Sequence, residues 1–266
     1  MGGFPAGTGR RYVDLEWGQV HVTEAGQGPV LLLLHQTPRS ADEFAELMTV
    51  LADRFRLVAP DLPGMGASDP CPGVASIEGY AAAVAGVLDA MGGGPVAVYG
   101  HHTGGVVAVE LAASRPELVH RLVLSSTAWV DPASRERRRG GPSVDVVRTS
   151  ADGSHLVELW EGRRPFYPVD RPDLLERFVA DALRARDPAE GHRAVGAYRM
   201  EERIGAVVCP TLCIGASADP FAFPDLEPLA SHIPGSVTAV VEGGTVALVE
   251  ERYGELASLI SGFVAD

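Results

Sequence analysis

Two adjacent histidines, His101 and His102, are the side chains of this sequence best suited to acid–base chemistry. Imidazole titrates near neutral pH, so a histidine in a pocket can accept and return a proton during a reaction. Gly100 and Gly104 stand two positions to either side of His102. Glycines there permit a strained turn and a close approach of neighbouring backbone. We therefore expect a tight turn that points the His102 side chain into a pocket.

The sequence around this turn predicts a strand before it and a helix after it. Pro95 to Tyr99 is a short apolar run rich in valine, and apolar residues at helical spacing follow from Val106 to Ser114. A strand, a turn with glycine on both sides of one central residue, and a helix form the frame of a nucleophile elbow, G-x-S-x-G. Here His102 occupies the serine position, so the frame is present without the hydroxyl nucleophile.

Alternating strands and helices surround the elbow and predict a mainly parallel sheet with helices on both faces. Further strands are expected at 11–15, 19–24, 30–34, 56–59, 121–124, 211–215 and 236–241. The sequence Ser40-Ala41-Asp42-Glu43 is interpreted as a capping box that starts a helix. A single final helix is expected from about residue 249 to 264.

The regular pattern stops between residues 127 and 204, which are rich in arginine, proline and helix signals. We predict a core domain at 1–126 and 205–266, with 127–204 forming a helical cap inserted after the sixth strand. The basic run Arg135-Glu136-Arg137-Arg138-Arg139 in this segment is interpreted as a solvated helix face or loop. A role in binding an anion is the less favoured alternative.

Two other motifs complete a resemblance to a known superfamily. His35-Gln36-Thr37-Pro38 follows the third strand, and the turn from Asp61 to Asp69 follows the fourth. Together with the elbow, they make the chain resemble the α/β-hydrolases over essentially its whole length. It looks most like the capped members, such as epoxide hydrolases, haloalkane dehalogenases, enol-lactonases and carbon–carbon bond hydrolases. The resemblance implies an α/β fold with a mostly parallel eight-stranded sheet, flanking helices and a helical cap.

The resemblance also shows where this chain departs from the family's catalytic triad. Asp219 matches the acidic residue that orients the histidine. The histidine itself normally precedes the last helix, where this chain has Thr245. The usual oxyanion donors match the backbone N–H groups of Thr37 and Thr103. The acid and the oxyanion hole are therefore expected to remain, whereas the serine and its base are replaced by His102 and Thr245.

We infer that His102 and Asp219 form a general acid–base pair and that no covalent acyl-enzyme is formed. The expected substrate is a small, largely apolar carbonyl, ester or polyketide-like compound that undergoes hydrolysis, elimination or cyclisation. One alternative is a conventional ester, lactone or epoxide hydrolase with an unrecognised nucleophile, such as Thr103, Ser126 or Ser217. The other is a non-catalytic ligand-binding member of the fold. Candidate substrate-binding residues are His35, Gln36, Trp129, Trp160, Tyr198, Phe221 and Thr245.

Composition limits the partners. The formal net charge of -13 disfavours nucleic acid and anionic membranes, which both select clustered positive charge. The chain contains no lysine, which excludes a lysine Schiff base. No cofactor and no metal are expected, because the histidines and carboxylates lack ligand spacing. We expect a cytoplasmic protein with free thiols, because the chain has only three cysteines, no basic-then-apolar leader and no long apolar run. A homodimer is a further possibility that the sequence leaves open.

Overall fold

The computed structural model describes residues 3–138 and 145–265. Its strands are β1 (Gly9–Leu15), β2 (Gly18–Ala25), β3 (Val30–Leu34), β4 (Arg56–Pro60), β5 (Val96–His101), β6 (Val119–Ser125), β7 (Thr211–Ala216) and β8 (Val237–Val241). They form one eight-stranded sheet in the order β1-β2-β4-β3-β5-β6-β7-β8. Strand β2 pairs antiparallel with β1 and β4, and all other pairs are parallel. The predicted α/β-hydrolase fold, with its mostly parallel sheet, is confirmed.

Helices cover both faces of the sheet. They are α1 (Ala45–Leu51), α2 (Ile77–Ala90), α3 (Thr103–Ser114), α4 (Pro132–Arg138), α5 (Ser154–Arg163), α6 (Pro172–Arg184), α7 (Glu190–Ala197), α8 (Met200–Arg203), α9 (Leu226–Ser231), α10 (Leu248–Glu251) and α11 (Tyr253–Ala265). Strand β3 shows why both faces are covered: Leu32 and Leu34 pack with α2 and α3, whereas Leu31 and Leu33 pack with α1 and α11. Successive strand side chains point to opposite faces, so an all-leucine strand needs apolar partners on each side.

The segment between β6 and β7 contributes the helices α4 to α8, and the part of it that the structure describes contains no strand. A separate apolar cluster around Leu174, Phe178 and Tyr167 holds α5 and α6 together. Within the described ranges, no helix is long and apolar enough to cross a membrane. The exact domain boundaries stay a prediction, and Arg139 of the basic run lies outside the described residues.

Two local expectations are wrong in an informative way. Ser40 caps a short turn by accepting a hydrogen bond from the Asp42 N–H at 3.3 Å. Glu43 does not complete a capping box, because its carboxylate accepts from the backbone N–H of Gln36 at 2.9 Å and from the Gln36 amide. The expected final helix is two helices, α10 and α11, which are separated at Arg252.

Buried ion pairs join the helical segment to the core. The side chain of Arg39 is fully buried; its Nε donates to Asp181 Oδ2 on α6 at 2.9 Å, and its Nη2 donates to Glu250 Oε1 on α10 at 2.9 Å. Arg177, also on α6, contacts Asp42 at 2.7 Å. Because Arg39 lies in the turn after β3, these contacts fix that turn against both α6 and α10.

Candidate active site

The elbow has the geometry that its glycines predict. Between β5 and α3, His102 adopts φ 47° and ψ −114°, and its N–H donates to the Ser125 carbonyl at 3.0 Å. A Cβ on Gly104 would lie 2.0 Å from the Leu34 carbonyl oxygen, and one on Gly100 would lie 2.4 Å from the Gly104 carbonyl oxygen. Glycine is therefore required at both positions by close backbone approach, and the strained turn presents His102 at the carboxyl end of the sheet.

The structure brings His102 and Asp219 together. Nε2 of His102 lies 2.8 Å from Oδ2 of Asp219, whose side chain is fully buried. The other carboxylate oxygen accepts from the Phe221 N–H at 2.9 Å. Burial acts to raise the pKa of Asp219, but the adjacent imidazole and the Phe221 N–H outweigh it and hold the pKa at about 2. The carboxylate is consequently ionised near neutral pH and lies beside the imidazole, although the contact lacks the alignment of a hydrogen bond. Within the described residues, Nδ1 of His102 makes no hydrogen bond.

His102 faces a cavity of about 120 Å³. Four more of the candidate residues line it, namely Gln36, Thr37, Thr103 and Phe221. In the described part of the chain, the backbone N–H groups of Thr37 and Thr103 donate to no other group. Thr103 is the first residue of α3, where an N–H has no partner within the helix and favours a bound anion. These two donors are therefore available to a developing oxyanion.

Two polar candidates lie away from this cavity. His35 is buried, where Nε2 accepts from the Leu62 N–H at 2.8 Å and Nδ1 donates to the Gln36 carbonyl at 2.8 Å. Both ring nitrogens are therefore committed to holding two turns together. Thr245 does not line the cavity either. Its hydroxyl accepts a hydrogen bond from the Ala247 N–H at 3.2 Å, at the start of the last helical region.

The three aromatic candidates from the helical segment also point elsewhere. Trp129 stacks on His232, with ring centroids 4.1 Å apart, and is buried against the core. The Tyr198 hydroxyl donates to the buried Glu110 carboxylate at 2.7 Å. Trp160 lines a separate apolar groove between α5 and α6. Aromatic side chains commonly pack in a core. Of the four aromatic candidates, only Phe221 lines the cavity.

The helical segment contributes to the cavity Arg163 and His192, which the sequence did not predict, and Arg138, which belongs to the basic run interpreted above as a solvated helix face or loop. Arg138, Arg163 and His192 line its wall. The buried Asp145 binds two of them: it pairs with the Arg163 guanidinium and lies 2.9 Å from Nε2 of His192. These partners come from different helices and share no local spacing, so no motif could have identified them. A second imidazole–carboxylate pair thus faces the same cavity as His102 and Asp219.

Within residues 3–138 and 145–265, no three His, Cys, Asp or Glu side chains are grouped so that they could hold a metal ion. Cys71 and Cys209 are partly buried and Cys213 is buried, and all three are free thiols whose pKa burial raises.

His101 lies behind the elbow and is fully buried. Its ring nitrogens are 3.3 Å from the Ser125 hydroxyl and 3.3 Å from the Val246 carbonyl, and Nε2 is 4.0 Å from the Glu43 carboxylate. Burial is the main reason that the pKa of His101 falls to about 4, because the charged ring would lose its hydration. His101 is therefore neutral near pH 7 and supports the turn structurally.

This depressed pKa predicts a loss of stability in mild acid. Unfolding returns His101 to its ordinary pKa of 6.5, so between about pH 6.5 and 4 the unfolded chain binds more protons and stability falls as the pH falls. A full shift of this size corresponds to about 3 kcal/mol. Urea unfolding at pH 7.0 and 4.5 should show a smaller difference for His101→Gln than for the wild type. His120→Gln is the control: partial burial also lowers the pKa of this histidine, but less than that of His101, so its replacement should reduce the difference less.

Comparisons with known proteins agree with this fold. The sequence matches the alpha/beta hydrolase fold family over residues 29–251. The chain therefore belongs to the α/β-hydrolase family. Among solved structures, a hydrolase from Pseudomonas aeruginosa is 21% identical with a TM-score of 0.81, covering 98% of this chain and 100% of that one. The enol-lactonase from Burkholderia xenovorans is 20% identical with a TM-score of 0.79, covering 96% and 100%. At these identities the likeness establishes the fold.

The curated relatives with closer sequences match only part of the chain. The 2-(acetamidomethylene)succinate hydrolase of Mesorhizobium japonicum is 34% identical over 162 residues, which is 60% of this chain and 58% of that protein. Haloalkane dehalogenase 2 of Mycobacterium tuberculosis is 32% identical over 124 residues, covering 46% and 43%. The chain thus spans about half the length of these relatives, and their activities are their own.

Proposed function

We propose that this protein is a cofactor-independent enzyme in which His102 and Asp219 act as a general acid–base pair on a small carbonyl or ester substrate. The observation that carries the proposal is the 2.8 Å contact between His102 Nε2 and the buried Asp219 carboxylate at the elbow. The imidazole occupies the position of the family's nucleophile, so the family's acid has a basic partner although Thr245 replaces the usual histidine. Membership of a hydrolase family supports hydrolysis as the reaction.

The arrangement suggests a direct mechanism. With the Asp219 carboxylate beside Nε2, Nδ1 of His102 takes a proton from water while the water oxygen attacks the carbonyl carbon. The N–H groups of Thr37 and Thr103 stabilise the charge that develops on the carbonyl oxygen. When the tetrahedral intermediate collapses, the protonated imidazole returns its proton to the leaving group, so no bond to the protein forms. If the substrate has an acidic C–H beside its carbonyl, His102 would remove that proton and the two N–H donors would stabilise the enolate, which leads to elimination or cyclisation.

One feature of the cavity favours a second candidate mechanism. Thr103 follows His102 directly and lines the cavity, so its hydroxyl is a possible nucleophile for a conventional covalent hydrolase. Ser217 is less suitable, because its hydroxyl accepts from the Gly243 N–H at 2.7 Å. Ser126 is buried and does not line the cavity.

A hydroxyl-directed fluorophosphonate separates these candidates when it is combined with a turnover screen. The protein is incubated with the probe and analysed by intact mass, and untreated protein is assayed on activated esters, lactones and epoxides. Turnover without labelling supports the acid–base mechanism. Labelling of Thr103 with loss of turnover supports the covalent one. Tight ligand binding without turnover on any substrate class would instead favour a non-catalytic ligand-binding protein and overturn the proposal.

A further inference from the structure

The charges around the cavity are unbalanced. Three basic side chains, Arg138, Arg163 and His192, line the wall formed by the helical segment. Asp145 already pairs with Arg163 and His192. No aspartate or glutamate is among the described residues that line the cavity. Among the described residues, one positive charge on the cavity wall, that of Arg138, therefore has no carboxylate paired with it.

The contacts of Arg138 show that this charge is not engaged elsewhere in the described residues. Its only hydrogen bond there is from Nε to the Ser134 hydroxyl at 3.3 Å. Arg135, one turn earlier on α4, differs because it forms an ion pair with Glu201 at 2.5 Å. Asp225 attracts Arg138 and Arg137 repels it, but neither makes contact with it. A guanidinium that lines a cavity without a carboxylate partner is suited to bidentate binding of a carboxylate from a ligand.

The size of the cavity limits the ligand that can meet this charge. A cavity of about 150 Å³ in another protein accepts one benzene molecule. The present cavity, at about 120 Å³, accepts a group of similar size. A ligand this small touches several walls at once, so a carboxylate at Arg138 leaves only a few carbon atoms between it and the group that faces His102.

We propose that Arg138 is the carboxylate-binding residue of the site and that the substrate is a small carboxylic acid whose reacting carbonyl lies a few carbons from the carboxylate. The position of the reacting carbonyl rests on the proposed function of His102. The carboxylate subsite itself does not, because it requires only binding. The basic run on α4 therefore has a divided role: Arg135 pairs on the protein surface, and Arg138 addresses the ligand.

Equilibrium binding of a keto acid and its neutral amide tests the subsite. Levulinate carries a ketone and a carboxylate in the required spacing, and levulinamide has the same shape without the charge. Binding is measured by titration calorimetry or ligand-observed NMR for the wild type, Arg138→Gln and Arg137→Gln. The last variant removes the same charge from the neighbouring helix position, which does not line the cavity. Arg138 lies at an exposed helix end, so its replacement is not expected to unfold the protein.

We expect levulinate to bind the wild type more tightly than levulinamide does. Arg138→Gln should weaken levulinate binding about 10-fold or more, as expected for a charged hydrogen bond, and leave levulinamide unaffected. Arg137→Gln should change neither affinity by more than about twofold, because Arg137 does not line the cavity and its charge acts only through solvent. Equal effects of the two arginine variants would show that levulinate responds only to the overall positive potential of this surface, and the proposed subsite would be wrong. Failure of the wild type to prefer levulinate or its longer homologues would overturn the substrate class.

The two proposals fail separately. His102→Ala should still bind levulinate with the same dependence on Arg138, because the carboxylate contact does not involve the imidazole. If His102→Ala retains turnover while Arg138→Gln loses affinity, the acid–base mechanism is wrong and the subsite stands. If His102→Ala loses turnover while both arginine variants bind like the wild type, the subsite is wrong and the mechanism stands.

Discussion

Replacing His102 with alanine is expected to lower turnover of the true substrate about 10²–10⁴-fold, the range that positioned proton transfer supplies. Alanine removes the imidazole that contacts Asp219 at 2.8 Å and faces the cavity, while the N–H donors of Thr37 and Thr103 remain. The loss should therefore fall mainly on kcat, since the variant keeps the cavity and its charged wall. Steady-state kinetics on the wild type and the variant provide the measurement.

A second substitution separates proton transfer from the strain of the turn. His102 has φ 47°, a value that asparagine adopts more readily than alanine. His102→Asn keeps a polar side chain in the cavity but cannot exchange a proton near neutral pH, so its turnover should fall as far as that of the alanine variant. Asp219→Asn should cost less but act in the same direction, because it removes the charge that stabilises the imidazolium.

These variants should remain folded. His102→Ala removes the imidazole that lies 2.8 Å from the buried Oδ2 of Asp219, so a loss of about 1–3 kcal/mol of stability is expected. Circular dichroism and urea unfolding would verify that the protein is native in the assay. Full activity of both His102 variants would show that the cavity works by shape or through another residue, and the acid–base hypothesis would be abandoned.

The parts of the site that the sequence predicted are those set by local sterics and by topology. Two glycines around His102 predict a tight turn because only glycine permits such close backbone approach. The carboxyl ends of parallel strands meet at one edge of a sheet, so turns after β3, β5 and β7 must converge there. That convergence places Thr37, His102 and Asp219 together although they are far apart in the chain.

The residues that the sequence did not predict are held by long-range contacts between side chains. Asp145 and His192 are 47 positions apart and meet only because the helices of the inserted segment pack together. Glu43 has the spacing of a capping box, yet a buried hydrogen bond to Gln36 satisfies it better than an exposed helix end would. Tertiary packing likewise decides which aromatic residues line the cavity, and the periodicity of the sequence does not show it.

Arg39→Met is expected to produce the largest loss of stability among the substitutions considered, about 3–5 kcal/mol. The fully buried guanidinium joins the turn after β3 to Asp181 on α6 and to Glu250 on α10, at 2.9 Å in each case. Methionine has a similar apolar length but leaves the buried Asp181 without its cation and leaves Glu250 with Arg177 alone, 3.7 Å away. Removing one partner of a buried ion pair costs more than the intact pair contributes, because the desolvation of the remaining charge is then uncompensated.

The measurement is urea unfolding of Arg39→Met beside Arg193→Met, a control that removes an arginine from the exposed surface of the helical segment. Arg193 pairs with Asp187, but both side chains are exposed, so its loss should change the free energy of unfolding by no more than about 1 kcal/mol. Replacing Arg39, Asp181 and Glu250 together by apolar residues should recover much of the stability, because no buried charge is then unpaired. A loss for Arg39→Met as small as that for Arg193→Met would show that water reaches the cluster. The turn that carries Thr37 would then be held by packing and by the hydrogen bonds of His35 and Gln36.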